Sequence, residues 1–210
     1  MRNTALTKEL QADLTPQSVL EDLLEGNKRY VANNLTGSDV TSLVQQTTGG
    51  QFPKAVILSC IDSRVPVELV FDQTVGDVFV ARVAGNFENI DILGSMEYSC
   101  AVAGSKLVFV LGHESCGAVK AACDGVELGN ITAMLDNIVP ACKLSSEQVD
   151  GATDSSNKEF VAKTVENNVR LTIERIREKS KILQEMEENG EISIVGGVYS
   201  LQTGEVTMLS

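Results

Sequence analysis

The chain has 210 residues and a formal net charge of −12, with an isoelectric point near 4.5. So acidic a protein repels nucleic acids and anionic membrane surfaces, and neither is expected as a partner. No apolar run approaches the roughly 18 residues of a membrane span, and the polar first ten residues lack the apolar stretch of a secretory signal. We therefore predict a soluble, cytoplasmic protein, although a mature chain whose signal had been removed would look the same.

The amino-terminal part of the sequence predicts a helical arm over residues 1–50. Thr15 is a good capping residue and Pro16 suits the first helical position, so an amphipathic helix is expected to start there. Residues 36–50 are polar and predict an irregular connection or a short helix around residues 40–46. The length favours a single domain over residues 1–210, with two smaller domains as the alternative.

Apolar runs rich in β-branched residues predict the strands, at residues 54–59, 78–83, 107–111 and 192–199. Crossovers of more than a dozen residues separate most of these runs, so the strands should pair in parallel. Residues 201–206 predict a turn into an edge strand. The predicted fold is therefore α/β, with a central, mostly parallel β-sheet flanked by α-helices, an N-terminal helical arm and an edge strand at the C-terminus.

Helical patterns fill the segments between the predicted strands, at residues 66–71, 91–103, 116–122, 130–142, 157–179 and 180–190. We expect Asp91 to cap the second of these helices. Small residues at positions 94, 95, 99 and 103 give that helix a face suited to close packing or to contact with a second subunit. Residues 143–156 predict a polar connection.

The counts of cysteine and histidine restrict the chemistry. Five cysteines at irregular spacings in a chain of this length argue against a disulfide framework. His113 is the one histidine, and it precedes Cys116 by three positions. Any role that needs an imidazole therefore falls to His113.

Two strand ends carry the residues of a candidate zinc site. Cys60 follows the first predicted strand, while His113 and Cys116 follow the strand at 107–111. Thiolate and imidazole are preferred zinc ligands, and a catalytic site has three protein ligands and an open fourth position. The alternative is that both cysteines are small buried thiols and that His113 is a hydrogen-bonded loop residue.

Asp62 and Arg64 form a second constellation beyond the first strand. Two positions apart, they can face the same side and form a charge-assisted pair. Near zinc, Arg64 could hold Asp62 off the metal, leaving the carboxylate to orient a reacting water. The alternative is an ordinary ion pair that caps the loop. A phosphatase-type loop is excluded, because it needs arginine six residues after the cysteine and Arg64 is four residues after Cys60.

Three segments together resemble the signature of the β-class carbonic anhydrases. They are Cys-Ile-Asp-Ser-Arg-Val at 60–65, Arg-Val-Ala-Gly-Asn at 82–86 and Gly-His-Glu-Ser-Cys-Gly-Ala-Val at 112–119. Their order and spacing match as well. Residues 26–30 and 195–204 support the resemblance, which covers nearly the whole chain and is weakest at 126–157.

The resemblance implies zinc-dependent, reversible hydration of carbon dioxide to bicarbonate and a proton. Zn²⁺ would be held by Cys60, His113 and Cys116, and zinc-bound hydroxide would attack CO₂ while the dyad of Asp62 and Arg64 orients the nucleophile. It also implies a homodimer or higher homo-oligomer. Alternatives are the same zinc site hydrolysing COS or CS₂, a non-catalytic zinc- or bicarbonate-binding homologue, and a redox protein in which Cys60 pairs with Cys116.

The resemblance further implies an open site in which Asp62 does not ligate zinc. Members with open sites carry a glutamine nine residues before the first cysteine ligand, and Gln51 stands there as a third catalytic candidate. Members that close the site have a bicarbonate pocket formed by tryptophan, arginine and tyrosine. Arg82 and Tyr199 match the last two, but Ile57 replaces the tryptophan. We therefore expect strand-end pairing and core packing from Arg82 and Tyr199, and no strong bicarbonate switch.

Overall fold

The structure, a computed structural model, describes residues 3–209. Within them, five strands form one sheet, namely β1 Ala55–Ser59, β2 Val78–Arg82, β3 Leu107–His113, β4 Ser193–Tyr199 and β5 Val206–Met208. The strand order is β2-β1-β3-β4-β5. The first four strands pair in parallel and β5 pairs antiparallel with β4. The predicted α/β fold with a C-terminal edge strand is confirmed.

The same residues form ten α-helices, namely α1 Lys8–Ala12, α2 Pro16–Val31, α3 Val40–Gln46, α4 Val67–Val70, α5 Ile90–Glu97, α6 Gly117–Cys123, α7 Gly129–Leu135, α8 Val139–Ser146, α9 Lys158–Lys179 and α10 Lys181–Glu188. A π-helical turn, Tyr98–Val102, continues α5. None of the helices within residues 3–209 has both the length and the apolar character needed to cross a bilayer.

The start of α2 follows the sequence signals directly. The Thr15 side chain accepts a hydrogen bond from the Ser18 N–H, and the Ser18 hydroxyl accepts one from the Thr15 N–H. This reciprocal pair satisfies two donors that a helix start leaves unpaired, and Pro16 occupies the first turn, where its missing N–H has no cost. The helix then buries Val19 and Leu23 against the sheet.

The prediction that Asp91 caps a single helix over 91–103 was wrong. Asn89 is the cap, because its backbone is extended and its side chain accepts a hydrogen bond from the Ile92 N–H. Asp91 instead lies in the first turn, where a negative charge is favourable. From Tyr98 the backbone changes to π-helical pairing, so the predicted segment contains two kinds of helix.

The segment predicted as one helix over 130–142 is divided into α7 and α8. The break is consistent with Pro140, which is tolerated in the first turn of a helix but would interrupt a continuous one. Helix α8 also runs on to Ser146, into the segment predicted as a polar connection. Helix α1 was not predicted, because its five residues carry no apolar periodicity.

Apolar side chains cover both faces of the sheet. Ile57 and Phe109 pack against the arm and α4 on one face, while Leu58 and Val110 lie in one apolar cluster with Ile176 of α9 on the other. All five are fully buried. Burial of one such side chain contributes about 1.5–3 kcal/mol, so this double-sided core fixes the strand ends relative to one another. The chemistry-bearing residues lie at those ends.

Candidate metal centre

Cys60, His113 and Cys116 meet at the carboxyl edge of the sheet. Cys60 directly follows β1, His113 is the last residue of the adjacent parallel strand β3, and Cys116 precedes α6. One potential ligand atom from each lies within 4.8 Å of the others, and the two sulfurs are 3.9 Å apart. All three residues are buried. The structure therefore brings together the three residues predicted as metal ligands.

The hydrogen bonding of His113 leaves one ring nitrogen available. Nδ1 lies 2.9 Å from the backbone carbonyl of Glu114, and because a carbonyl can only accept, Nδ1 carries the proton. Nε2 then presents its lone pair to the two thiols. This buried nitrogen has no hydrogen-bond partner among the described residues. An unsatisfied buried acceptor is costly unless it serves a ligand, and the donor set suits a divalent metal.

The two thiols share a proton. The hydrogen bond from Cys116, helped by the Gly85 N–H, outweighs burial and lowers the pKa of Cys60 to about 4. The pKa of Cys116 is raised by its hydrogen bond to Cys60, by burial and by the charge of the neighbouring thiolate. The pair therefore loses its first proton readily and keeps the second. A divalent cation would displace that second proton, as thiolate ligation requires.

Asp62 and Arg64 form a bidentate ion pair at the mouth of the cluster. Arg64 Nε donates to Oδ1 over 2.9 Å, Nη2 donates to Oδ2 over 2.7 Å, and the Arg64 backbone N–H also donates to Oδ1 over 2.9 Å. These bonds hold the pKa of Asp62 well below its usual range despite partial burial. Asp62 Oδ2 lies 3.9 Å from His113 Nε2, so the carboxylate borders the cluster.

Arg82 and Gly85 hold the loop that carries Cys60. Arg82 Nε donates to the Cys60 carbonyl over 2.8 Å, and Nη2 donates to the Asp62 carbonyl over 2.7 Å. The Gly85 N–H points at Cys60 Sγ over 3.3 Å. Gly85 has a φ of +86°, and a Cβ there would lie 2.4 Å from Ile138, so glycine is required. Asn168 on α9 fixes the same turn by donating to the Gly85 carbonyl over 2.7 Å.

The sequence did not single out Gly85 and Asn168 for the site. Gly85 belongs to the signature segment at 82–86, but the segment does not reveal that the Gly85 N–H reaches Cys60 Sγ. Nothing in the helical pattern of α9 distinguishes Asn168 from a surface polar residue. Asn168 is nevertheless almost fully buried. The burial of Asn168 can be recognised only once the face of α9 that packs on the sheet is known.

Gln51 lies at the opposite end of β1 from Cys60, and its side chain is exposed. Because a strand rises about 3.3 Å per residue, β1 alone separates the two ends by about 13 Å. The structure therefore does not bring Gln51 to the cluster of its own chain.

Arg82 and Tyr199 have the structural roles expected of them. Arg82 is the last residue of β2, and its guanidinium donates to the Cys60 and Asp62 carbonyls that follow β1. Tyr199 is buried in the core, and its hydroxyl lies 3.2 Å from that of Tyr30. Ile57, which replaces the tryptophan of the closed-site members, is completely buried.

Comparisons with known proteins agree with this site. A family model described as carbonic anhydrase matches residues 55–206, a range that contains the whole Cys-His-Cys cluster and the Asp62–Arg64 pair. Carbonic anhydrase 2 of Mycobacterium tuberculosis is 35% identical over 201 residues, covering 92% of each chain. The carbonic anhydrase of Mycolicibacterium smegmatis is 33% identical, covering 93% of this chain and 94% of its own.

Among solved structures, a Coccomyxa β-carbonic anhydrase in complex with acetazolamide has a TM-score of 0.72 to this chain. It is 27% identical in sequence, and the match covers 90% of this chain and 86% of that one. The fold, the Cys-His-Cys cluster and these relatives agree, and the chain belongs to the β-class carbonic anhydrase family of enzymes.

Proposed function

We propose that this chain catalyses the zinc-dependent, reversible hydration of carbon dioxide to bicarbonate and a proton. The observation that carries the proposal is the buried Cys60, His113 and Cys116 cluster, with an unpartnered imidazole nitrogen, directly beside a carboxylate held by arginine. A purely structural zinc site usually has four protein ligands and needs no neighbouring ion pair. Three ligands with an oriented carboxylate favour a site that works on a water.

Cys60, His113 and Cys116 would hold the zinc ion. Two soft thiolates and one imidazole suit zinc better than magnesium or calcium, which prefer oxygen ligands. The Nδ1–H of His113, fixed on the Glu114 carbonyl, would keep the ring oriented with Nε2 toward the ion. When bound, zinc supplies Lewis acidity that makes a nucleophile of water available near neutral pH.

Asp62 would orient the reacting water. Oδ1 already accepts two hydrogen bonds from Arg64, whereas Oδ2 accepts one and keeps a lone pair free. Oδ2 is also the oxygen nearest to His113 Nε2. A water beside the cluster can therefore donate a hydrogen bond to Oδ2. This hydrogen bond orients the water so that a lone pair of the water oxygen points toward the carbon of an incoming CO₂. Since the pKa of Asp62 is lowered, the carboxylate remains an acceptor at neutral pH.

Arg64 would keep Asp62 from joining the metal ligands. Both carboxylate oxygens are engaged by its guanidinium, and rotating either one onto the cluster would break a charge-assisted hydrogen bond. An open site with three protein ligands, as the sequence predicts, agrees with this arrangement.

We infer a homodimer in which β2 and α5 of two copies face each other. Strand β2 forms one edge of the sheet, and beside it lies a groove of about 720 Å³ lined by residues such as Phe79 and Ile90. Ile90, at the start of α5, is 84% exposed, and Val102, at the end of the π-helical turn that continues α5, is 72% exposed. Large apolar side chains exposed to this extent mark candidate interaction surfaces. A second copy is the partner that a self-complementary edge strand and apolar face fit best.

This dimer would give Gln51 a role. Two β2 strands related by a two-fold axis perpendicular to them would run antiparallel, so the amino end of one sheet would face the carboxyl end of the other. Gln51, at the amino end, would then approach the metal centre of the second copy and could donate to an oxygen of CO₂. Gln51 would act only between subunits.

Mixing two inactive variants tests the role of Gln51. After dissociation and reassembly of equal amounts of Gln51→Ala and Asp62→Asn chains, each mixed dimer has one site with both residues intact. Random pairing then predicts recovery of about a quarter of the wild-type rate. If Gln51 served its own chain, mixing would recover nothing.

Metal analysis and CO₂ hydration test the proposed reaction. We expect about one zinc per chain, rapid hydration of CO₂ and loss of both after chelation, with recovery on adding zinc. Cys60→Ser should lose zinc. Cys100 is also buried but lies outside the cluster, so the control variant Cys100→Ser should retain zinc. Faster turnover of COS than of CO₂ by the zinc-loaded protein would contradict the proposed substrate.

A further inference from the structure

A second pair of cysteines lies close together outside the metal centre. Cys123 is the last residue of α6 and Cys142 lies in α8, 19 positions further on, yet their sulfurs are 3.7 Å apart. Both residues are only partly buried, and both are free thiols in this structure. The proposed reaction uses neither. Two thiols from different helices at this distance form a candidate redox site.

The geometry requires only a small movement to join the sulfurs. A disulfide has an S–S distance of about 2.05 Å, so the gap of 3.7 Å must close by roughly 1.7 Å, within reach of side-chain rotation. The hydrogen bond from Cys142 also lowers the pKa of Cys123, although burial and the neighbouring Asp124 act in the opposite direction. Cys123 is therefore the better nucleophile of the two.

The fifth cysteine provides an internal contrast. Cys100 is 2% exposed, and burial raises its pKa to about 12. It belongs to the apolar cluster under α9 and has no thiol neighbour among its described contacts. Buried, neutral thiols of this kind are inert, so Cys100 should not react under conditions that oxidise an accessible pair.

We propose that Cys123 and Cys142 form a reversible disulfide that links α6 to α8. The oxidant is a low-molecular-weight disulfide of the glutathione class. The Cys123 thiolate attacks one of its sulfurs, breaking that S–S bond and releasing one thiolate. Cys142, as its thiolate, then attacks the Cys123 sulfur of the mixed disulfide and releases the second. The protein loses two electrons and two protons, and the reagent becomes two thiols.

The link would tie together two elements next to the metal centre. Helix α6 starts directly after Cys116, and α8 follows Ile138, which packs on Gly85 beneath Cys60. A crosslink here restricts the unfolded chain and holds both helices in their native positions. We therefore expect the oxidised protein to melt several degrees higher than the reduced protein.

Thiol mapping on the zinc-loaded protein tests the proposal, because bound zinc protects Cys60 and Cys116. The protein is equilibrated with oxidised and reduced glutathione, alkylated, and digested with trypsin without reduction. Cys123 and Cys142 fall in one tryptic peptide, residues 121–143, since Lys120 and Lys143 are the flanking cleavage sites. The oxidised peptide should carry no alkyl group and should be two hydrogens lighter than the reduced, unalkylated peptide. A second cleavage after Glu127 should give two fragments that stay linked by the disulfide until it is reduced.

Two variants complete the experiment. Cys142→Ser should abolish both the disulfide and the shift in melting temperature, whereas Cys100→Ala should keep both. The proposal is overturned if residues 121–143 remain fully alkylated in the folded, oxidised protein. A glutathione adduct that persists on Cys123 while Cys142 stays free, or equal melting temperatures for oxidised and reduced wild type, would also contradict it.

Discussion

Arg64 engages both carboxylate oxygens of Asp62, with Nε 2.9 Å from Oδ1 and Nη2 2.7 Å from Oδ2. The same carboxylate borders His113 Nε2 at 3.9 Å. The ion pair and the Cys-His-Cys cluster are therefore parts of one site, with the ligands at its buried end and the more exposed Arg64 at its mouth. The roles of Asp62, Arg64 and zinc proposed above depend on this connection.

Replacement of Arg82 should weaken metal binding without removing a ligand. Arg82→Gln removes the two hydrogen bonds to the Cys60 and Asp62 carbonyls, so the loop that carries both residues loses its support. Loss of such supporting contacts typically costs 10–100-fold in metal affinity. Competition with a chelator measures this change, and Arg82→Lys, which can replace one bond, should give an intermediate affinity. Zinc affinity equal to wild type in Arg82→Gln would show that the two bonds do not position the ligand.

Asp72 should stabilise the packing of the helical arm. Its buried carboxylate pairs with Arg29 of α2 and accepts hydrogen bonds from Thr36. Its backbone φ of +49° is one that asparagine also tolerates, so Asp72→Asn changes charge with little backbone strain. We expect the free energy of unfolding to fall by about 1–3 kcal/mol at pH 7, measured with denaturant. Glu25→Gln, which disrupts an exposed ion pair with Lys28, should change it by less than about 0.5 kcal/mol.

The effect of Asp72 should depend on pH. Burial alone would raise its pKa, but the hydrogen bonds from Thr36 and the charge of Arg29 outweigh burial and lower it. Because the folded-state pKa lies below the unfolded-state pKa of about 3.9, the stabilisation is complete above that value and is lost as pH falls through the folded-state pKa. Wild type and Asp72→Asn should converge in strong acid. A constant difference down to pH 2 would contradict this assignment.

Turnover should depend on buffer concentration. His113 is the one histidine of the chain, and its Nδ1 and Nε2 are assigned to the Glu114 carbonyl and the metal. Burial and the Tyr30 hydroxyl raise the pKa of Tyr199, so that phenol cannot shuttle protons near neutral pH. Protons must then leave through water, buffer, the partly buried Tyr30, the exposed Tyr98 or carboxylates. Stopped-flow rates should rise and then level off with buffer concentration; equal rates in weak and strong buffer would exclude this route.

The strands and the meeting of the three proposed metal ligands could be predicted from the sequence because local patterns determine them. Apolar β-branched runs defined the parallel sheet, and the carboxyl ends of neighbouring parallel strands necessarily meet, which brought Cys60 to His113 and Cys116. The ion pair between Arg64 and Asp62 could also be predicted, because the two residues are only two positions apart. These features depend on short stretches of sequence joined by one topological rule.

The remaining features depend on contacts between distant segments. Whether Asn89 or Asp91 caps α5 depends on which residue has an extended backbone directly before the helix, and both are good capping residues. The support of Cys60 by Gly85, and of Gly85 by Asn168 from α9, joins positions 83 residues apart. The closeness of Cys123 and Cys142 depends on how α8 packs beside α6, and the single predicted helix over 130–142 did not contain the break that separates α8 from α7.

The most direct test compares CO₂ hydration by zinc-replete wild type and Asp62→Asn in a stopped-flow assay. Asparagine keeps the shape of the side chain but removes its charge, so the water loses its oriented acceptor while the three ligands remain. We predict equal zinc content, rapid hydration by wild type and a rate at least about 100-fold lower for the variant. Absence of CO₂ hydration by zinc-loaded wild type, or equal rates for the two proteins, would contradict the proposed mechanism.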